Sequence, residues 1–264
     1  TGVLRHAVVR CGWKTDDVLL TLVSRVPELR DERRVVDELR AACPDVTSIV
    51  LNVNDRRTNA ILGRRSRTLY GPGVMHDELL GCRFEIGPTS FYQTNPAQTE
   101  VLYELALDGL GDATTALDAY CGTGTIGICA AARRGGLRVT GVEQVAAAIA
   151  SAERNARTNN VADRCRFVAA DATSWMAREG RDQHFDVVIM DPPRAGSTPE
   201  FLAGASALEP RRIVYVSCNV VTQARDLEVL RARGYRLTRV APVDMFPHTK
   251  HVECVVTLER GQRS

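Results

Sequence analysis

The sequence predicts an α/β fold: a doubly wound parallel sheet whose last strand is antiparallel, preceded by a small α/β domain. Three observations carry this expectation. From Thr114 onward apolar strands alternate with helical segments, the grammar of a doubly wound sheet. The first of these strands runs into a Gly-x-Gly-x-x-Gly turn that opens a helix. The final two strands have no helix between them, so they pair as an antiparallel hairpin at the sheet edge.

Taken in order, residues 1–90 read as the small domain. Apolar strands fit Leu4 to Val9 and Val18 to Val23, a helix fits Glu32 to Ala42 between Pro27 and Pro44, and a strand fits Ser48 to Val53. Arg56 to Arg67 then holds five arginines without one acid, after an Asn52-Val-Asn54-Asp55 turn signal. That stretch reads equally as an RNA-facing loop and as a solvated hairpin. Residues 91–264 form the second domain, with Phe91 to Leu110 as a bridging loop and helix. Its strands fit Ala116 to Tyr120, Arg138 to Val142, Arg166 to Ala169, Phe185 to Met190, Ile213 to Ser217, Arg236 to Pro242 and Val252 to Leu258. The helices between them fit Thr125 to Arg134, Ala146 to Thr158, Pro199 to Leu208 and Thr222 to Arg233.

The 264 residues, 44% hydrophobic and 25% charged, are close to the average globular chain, which argues against collagen, a disordered tail or a biased repeat. No apolar run approaches the roughly 18 residues of a membrane span. A formal net charge of +2 gives no strong global pull on a polyanion, so nucleic-acid contact has to come from a local patch. Only Lys14 and Lys250 break the arginine monopoly among the basic residues. None of the eight cysteines stands in a Cys-x-x-Cys pair, which argues against zinc or redox use. Their scatter is that of reduced intracellular thiols, and the expected compartment is cytoplasmic. Because the chain opens with Thr1 rather than Met, a segment carrying a targeting signal could precede it.

Four segments carry chemistry. In Leu117-Asp-Ala-Tyr-Cys-Gly-Thr-Gly-Thr-Ile-Gly127, Gly122, Gly124 and Gly127 let the backbone turn tightly beside a ligand at a helix start. Glu143 ends the next strand, about 20 residues on, where a carboxylate can accept from both ribose hydroxyls. This fits a nicotinamide cofactor or S-adenosylmethionine, and Asp118 with Asp171 leans toward the latter. Asp171, after the third strand, is placed either to meet an adenine amino group or simply to make a strand-end turn. The second segment, Asp191-Pro-Pro-Arg194, follows a hydrophobic strand at the carboxyl edge. Adenine methyltransferases end a similar loop in a stacking aromatic, whereas Arg194 suits carbonyl oxygens such as those of uracil. In the third, Val216-Ser-Cys-Asn219, Cys218 is on the same rim and can act as a nucleophile if its thiolate is accessible; Cys121, Cys129 and Cys165 read as core fillers. The fourth, Asp244-Met-Phe-Pro-His-Thr-Lys-His-Val-Glu253, places Glu253 where the apolar alternation of a strand calls for no carboxylate, a candidate general base. His248 and His251 imitate a metal pair, but Pro247 precludes a regular helix and no third ligand is evident.

Together with Phe91-Tyr-Gln-Thr-Asn95, these segments resemble the RNA (uracil-5-)-methyltransferase family, from about Phe91 to the C-terminus and more loosely back to Thr1-Gly-Val-Leu-Arg-His. The resemblance implies a class I, Rossmann-like methyltransferase fold, S-adenosyl-L-methionine as cofactor and a uridine in RNA as substrate. It implies that Gln93, Tyr120, Thr125, Glu143, Asp171 and Asp191 contact the cofactor, together with the glycine turn at Gly122 and Gly124. It also implies that Cys218 is the nucleophile, Glu253 the base and Arg194 a residue at the uracil. Asp244-Met-Phe-Pro-His-Thr looks more like the 23S rRNA members than the tRNA ones, so 23S rRNA is the expected substrate, with tRNA the alternative. Two departures stand out. Val220 occupies a position that the family usually gives to proline, and the N-terminal RNA-binding β-barrel and four-cysteine iron–sulfur site of many relatives are not visible. The chain is then either a catalytic fragment or a short member that uses its first 85 residues for RNA. Cytosine-5 methylation would place the cysteine in a Pro-Cys or Thr-Cys setting, which is not found. A non-catalytic RNA-binding module is the reading from a different class, and a monomer is the default state.

Overall fold

In the computed structural model, residues 2–57 and 59–261 are described; the Thr1 end of the family resemblance and Thr58 in the arginine-rich stretch lie outside them. The chain divides into two compact units, Thr1–Glu78 with Arg83–Tyr92, and Leu79–Cys82 with Gln93–Ser264.

The first unit holds a four-stranded sheet in the order β1 (Leu4–Cys11), β2 (Val18–Ser24), β3 (Ser48–Val53), β4 (Arg65–Tyr70). The β2–β3 pair is parallel because α1 (Glu32–Ala42) makes the crossover, and the two flanking pairs are antiparallel. Leu20, Leu22, Ile49 and Leu51 stand at alternate positions of the two central strands and close over Val36 of α1. Arg40 of α1 lies 3.9 Å from the ring centroid of Tyr70. The arginine-rich stretch divides: Arg56, Arg57 and Arg64 are exposed in the loop, while Arg65 and Arg67 belong to the edge strand β4. Arg67 is engaged by Glu32 at 2.6 Å. A short hairpin, β5 (Met75–Leu79) and β6 (Cys82–Ile86), turns at Leu80 and Gly81, both with positive φ.

The second unit is a seven-stranded sheet in the order β12-β13-β11-β10-β7-β8-β9, preceded by α2 (Pro96–Asp108). The strands are β7 (Thr115–Ala119), β8 (Arg138–Glu143), β9 (Cys165–Ala169), β10 (Val187–Met190), β11 (Arg212–Ser217), β12 (Tyr235–Val243) and β13 (Glu253–Arg260). Between them run α3 (Thr125–Arg133), α4 (Ala146–Thr158), α5 (Ala172–Trp175) with a π-type turn Met176–Gly180, α6 (Pro199–Ala207) and α7 (Val220–Ala232). β7 to β11 are mutually parallel, and β13 runs antiparallel between β11 and β12. The doubly wound sheet with a reversed last strand is therefore present, and β12 rather than β13 is the outer strand. The winding reverses between β7 and β10, and a ligand is expected in the crevice beyond the carboxyl ends of those strands. Val187–Met190 is a continuous buried run, as a central parallel strand covered on both faces must be. Over one face pack Trp175, Phe201, Tyr215 and Leu230. Among the described residues no helix is long and apolar enough to cross a membrane.

Candidate active site

The glycine turn grows directly out of β7. Tyr120, the first residue past the strand, is held at φ 63°, a conformation costly for a side chain with a Cβ, and its ring packs on Phe201 at 4.8 Å between centroids. Gly122 and Gly124 take φ values of 55° and 80°, and Gly124 forms the N-cap of α3 without a side-chain hydrogen bond. A Cβ on Gly122 would meet nothing within 4 Å, whereas one on Gly124 would press on the Phe167 ring at 3.0 Å. The turn is thus open on the Gly122 side and packed on the Gly124 side, a cradle for a ligand at the helix start. Asp118 is not on the ligand face. It is 2% exposed beneath the turn, where Oδ2 accepts from the Gly127 amide at 3.0 Å, and burial pushes its carboxyl up to about 7.

Glu143 ends β8 half-buried at the same rim, with Oε1 accepting from the Val145 amide at 2.9 Å. Asp171 follows β9, is exposed, and caps α5 by accepting from the Ser174 amide at 2.8 Å. The turn-forming and ligand-facing readings of Asp171 are compatible, because a cap fixes the direction of the carboxylate. Thr125, at the start of α3, has its hydroxyl 2.9 Å from that of the buried Tyr103. These residues, at the ends of three consecutive parallel strands, fit a nucleoside-bearing cofactor.

The candidate reactive groups lie one step further along the rim. Met190 pairs with Ala119 on one side and Tyr215 on the other, so Asp191 leaves the sheet beside Tyr120. Ser217, the last residue of β11, pairs with Cys254 of the antiparallel β13, so Cys218 leaves the sheet at the edge where Glu253 begins β13, near enough for the Glu253 charge to act on its thiol. A thiol and a carboxylate 35 residues apart in sequence are thereby brought to the same end of two paired strands. Glu253 is 4% exposed, and burial raises its pKa while Arg194 draws it down. Burial likewise pushes the half-buried Cys218 thiol up, helped by the negative charges of Glu253 and Asp191 and opposed by Arg194. Asp191 is pushed up to about 8 by burial and then by Glu253 and Asp118.

Four of the five segments are tied to one another. Asn95 caps α2 and its Nδ2 donates to the Met245 carbonyl at 3.1 Å, which joins the Gln93 segment to the Asp244–Val252 loop. Arg194 Nη2 lies 3.1 Å from His251 Nδ1, and the Arg194 carbonyl accepts from Asn219 Nδ2 at 3.0 Å. Asn219 is the residue that sequence reasoning missed. A polar residue just before a helix reads as a cap, and its second partner is 25 positions upstream.

The profile of the tRNA (uracil-5-)-methyltransferase family matches residues 81–261. Similar chains include uncharacterized RNA methyltransferases of Oceanobacillus iheyensis, 41% identical over 97% of this chain, and Halalkalibacterium halodurans, 43% identical over 98% of it. The chain spans 56% of the length of each. The crystal structure of Pyrococcus abyssi tRNA (uracil-54, C5)-methyltransferase with S-adenosyl-L-homocysteine is 35% identical, with a TM-score of 0.81, over 98% of this chain and 60% of that one. A methyltransferase structure from Agrobacterium tumefaciens, 18% identical with a TM-score of 0.58 over 98% of this chain and 91% of that one, shares the fold. With the glycine cradle, the Asp191–Arg194 turn, Cys218 and Glu253 at one edge of the sheet, the chain belongs to the RNA uracil-5-methyltransferase family.

Proposed function

We propose that the protein methylates carbon 5 of a uridine in RNA, with S-adenosylmethionine as donor, through a covalent adduct between Cys218 and carbon 6 of the base. The observation that carries this reading is the β11–β13 pairing, which brings Cys218 and Glu253 to the carboxyl edge of the sheet, within electrostatic reach of each other and of Arg194. Carbon 5 of uracil is too weak a nucleophile to take a methyl group unaided, and covalent catalysis divides the barrier. The Cys218 thiolate adds to carbon 6, and the displaced π electrons make an enolate across carbon 5 and O4. Arg194 offers a guanidinium to that developing charge. The enolate carbon then displaces the donor's sulfur from its methyl group. Glu253 takes the proton from carbon 5, and the released electron pair re-forms the carbon 5–carbon 6 double bond and expels the Cys218 thiolate. A carboxylate held in a buried site is a stronger base than one in water, which suits this step.

The cofactor would lie along Tyr120, Gly122, Gly124 and Thr125, with Glu143 toward the ribose, Asp171 toward the base, and Gln93 and Asp191 at the reacting end. Reaching both Cys218 and the donor requires the uridine to leave its stack, so a loop or bulge is the expected substrate. The resemblance of the Asp244–Thr249 stretch to the 23S rRNA members of the family supports 23S rRNA. A second reading is tRNA, favoured by the 35% identity to the Pyrococcus abyssi tRNA enzyme. The test is to incubate the protein with unmodified 23S rRNA and tRNA and map new 5-methyluridine by nucleoside mass analysis. One RNA gains the mark, while Cys218→Ala adds none yet still binds S-adenosylmethionine; turnover by that variant refutes the covalent route.

A further inference from the structure

The turn that carries Arg194 is held by one face of α7. Pro193 to Gly196 form a β-turn closed by a 2.8 Å hydrogen bond from the Gly196 amide to the Pro193 carbonyl. Four side chains at helical spacing, Asn219, Thr222, Arg225 and Asp226, reach its backbone. Asn219 Nδ2 and Thr222 Oγ1 donate to the Arg194 carbonyl at 3.0 and 3.4 Å. Arg225 Nη2 donates to the carbonyls of Ala195 and Ser197 at 3.1 and 3.2 Å, and Asp226 Oδ2 accepts from the Ser197 amide at 2.8 Å. The fit is close: at Gly196, φ 77°, a Cβ would lie 2.7 Å from both Arg225 Nη2 and Asp226 Oδ2. Asp226 is itself fully buried and takes the Tyr215 hydroxyl at 2.8 Å, so the helix face is anchored to the strand that delivers Cys218.

We infer that Asn219 is a positioning residue that sets the Arg194 turn relative to the adjoining Cys218. This inference rests on the methyl-transfer reading above. Its amide does two separable things. Oδ1 accepts from the Val221 amide at 3.1 Å and caps α7, and Nδ2 donates to the Arg194 carbonyl. Aspartate and serine keep a capping oxygen but cannot supply the second donor in the same geometry. A residue that only stabilised the helix would survive either change. A residue that aligns Arg194 with the adduct would not, because small misplacements of a catalytic group cost far more rate than stability.

The experiment compares Asn219→Asp and Asn219→Ser in the unsubstituted and the Arg194→Ala backgrounds, by single-turnover methyl transfer at saturating donor. Both variants are expected to keep the thermal midpoint and S-adenosylhomocysteine affinity of the parent and to lose about tenfold to 100-fold in rate. In the Arg194→Ala background the further loss disappears, since the group being positioned is gone. Amide hydrogen exchange across residues 193–197 gives a readout independent of turnover and accelerates in both variants. Equal rate losses in the two backgrounds, or unchanged exchange, overturn the positioning role while the function stands. Absence of transfer by the unsubstituted protein on 23S rRNA and tRNA overturns the function and this role with it.

Discussion

Cys218 rests in a site that opposes its own ionisation. Burial and the carboxylates of Glu253 and Asp191 push the thiol up, against the opposing pull of Arg194 and a backbone hydrogen bond. The thiol is therefore mostly protonated at neutral pH, and on the proposed mechanism the rate of methyl transfer should climb with pH as thiolate forms. Replacing Arg194 by alanine should move that limb to higher pH, and a limb unmoved by the change would remove Arg194 from the thiolate's surroundings. Stability has the opposite slope. Asp191, pushed up to about 8, and Asp118, pushed up to about 7, bind protons more tightly folded than unfolded. Their contribution is present in full below the unfolded carboxylate value of about 3.9 and is lost as pH rises through the folded values. Thermal melts of the free protein should fall between about pH 4 and about pH 8, and Asp191→Asn should flatten that fall. At this scale the sequence was most readable where a residue broke its local pattern: Glu253 interrupts an apolar strand, and Arg194 replaces an expected aromatic. Asn219 broke nothing locally, so its link to Arg194 was hidden until the fold joined them.

The elements that carry the cradle were legible because each has a local signature. Gly122-x-Gly124-x-x-Gly127 after a buried strand specifies its turn by sterics, whereas the sequence pattern starts α7 at Thr222 and the helix begins at Val220, where Asn219 caps it. What escaped was short or charged. β4, Arg65–Tyr70, hides its strand character behind exposed arginines at a sheet edge, where charge guards against pairing with another chain. The β5–β6 hairpin turns at Leu80-Gly81, without the asparagine or aspartate that usually marks such a turn. The cradle itself makes a prediction about inequivalent glycines. Gly122→Ala adds backbone strain alone, about 1–2 kcal/mol. Gly124→Ala adds the same strain and forces its methyl group against Phe167 and Ala152, for about 1–3 kcal/mol more. Chemical denaturation should rank the two in that order; equal losses would mean that the Gly124 side is not packed as described.

For the molecule as a whole, the order of the sheet does what no single motif can. The parallel strands deliver the glycine turn, Glu143, Asp171, Asp191 and Cys218 to one edge, and reversing β13 brings Glu253 back to that same edge from the far end of the chain. Strand alternation and the missing helix before β13 were enough to anticipate this topology, since an uncrossed connection between neighbours has to reverse direction. The substrate was not legible in the same way. A net charge of +2 points to no particular RNA, and recognition depends on patches that a single sequence does not rank. The most direct measurement is a denaturing gel, followed by peptide mass mapping, of Glu253→Gln incubated with S-adenosylmethionine and its RNA. With the proton acceptor gone, methylated RNA should remain bonded to the peptide that contains Cys218. Free 5-methyluridine formed at the parental rate, with no species of protein and RNA joined, would contradict the account.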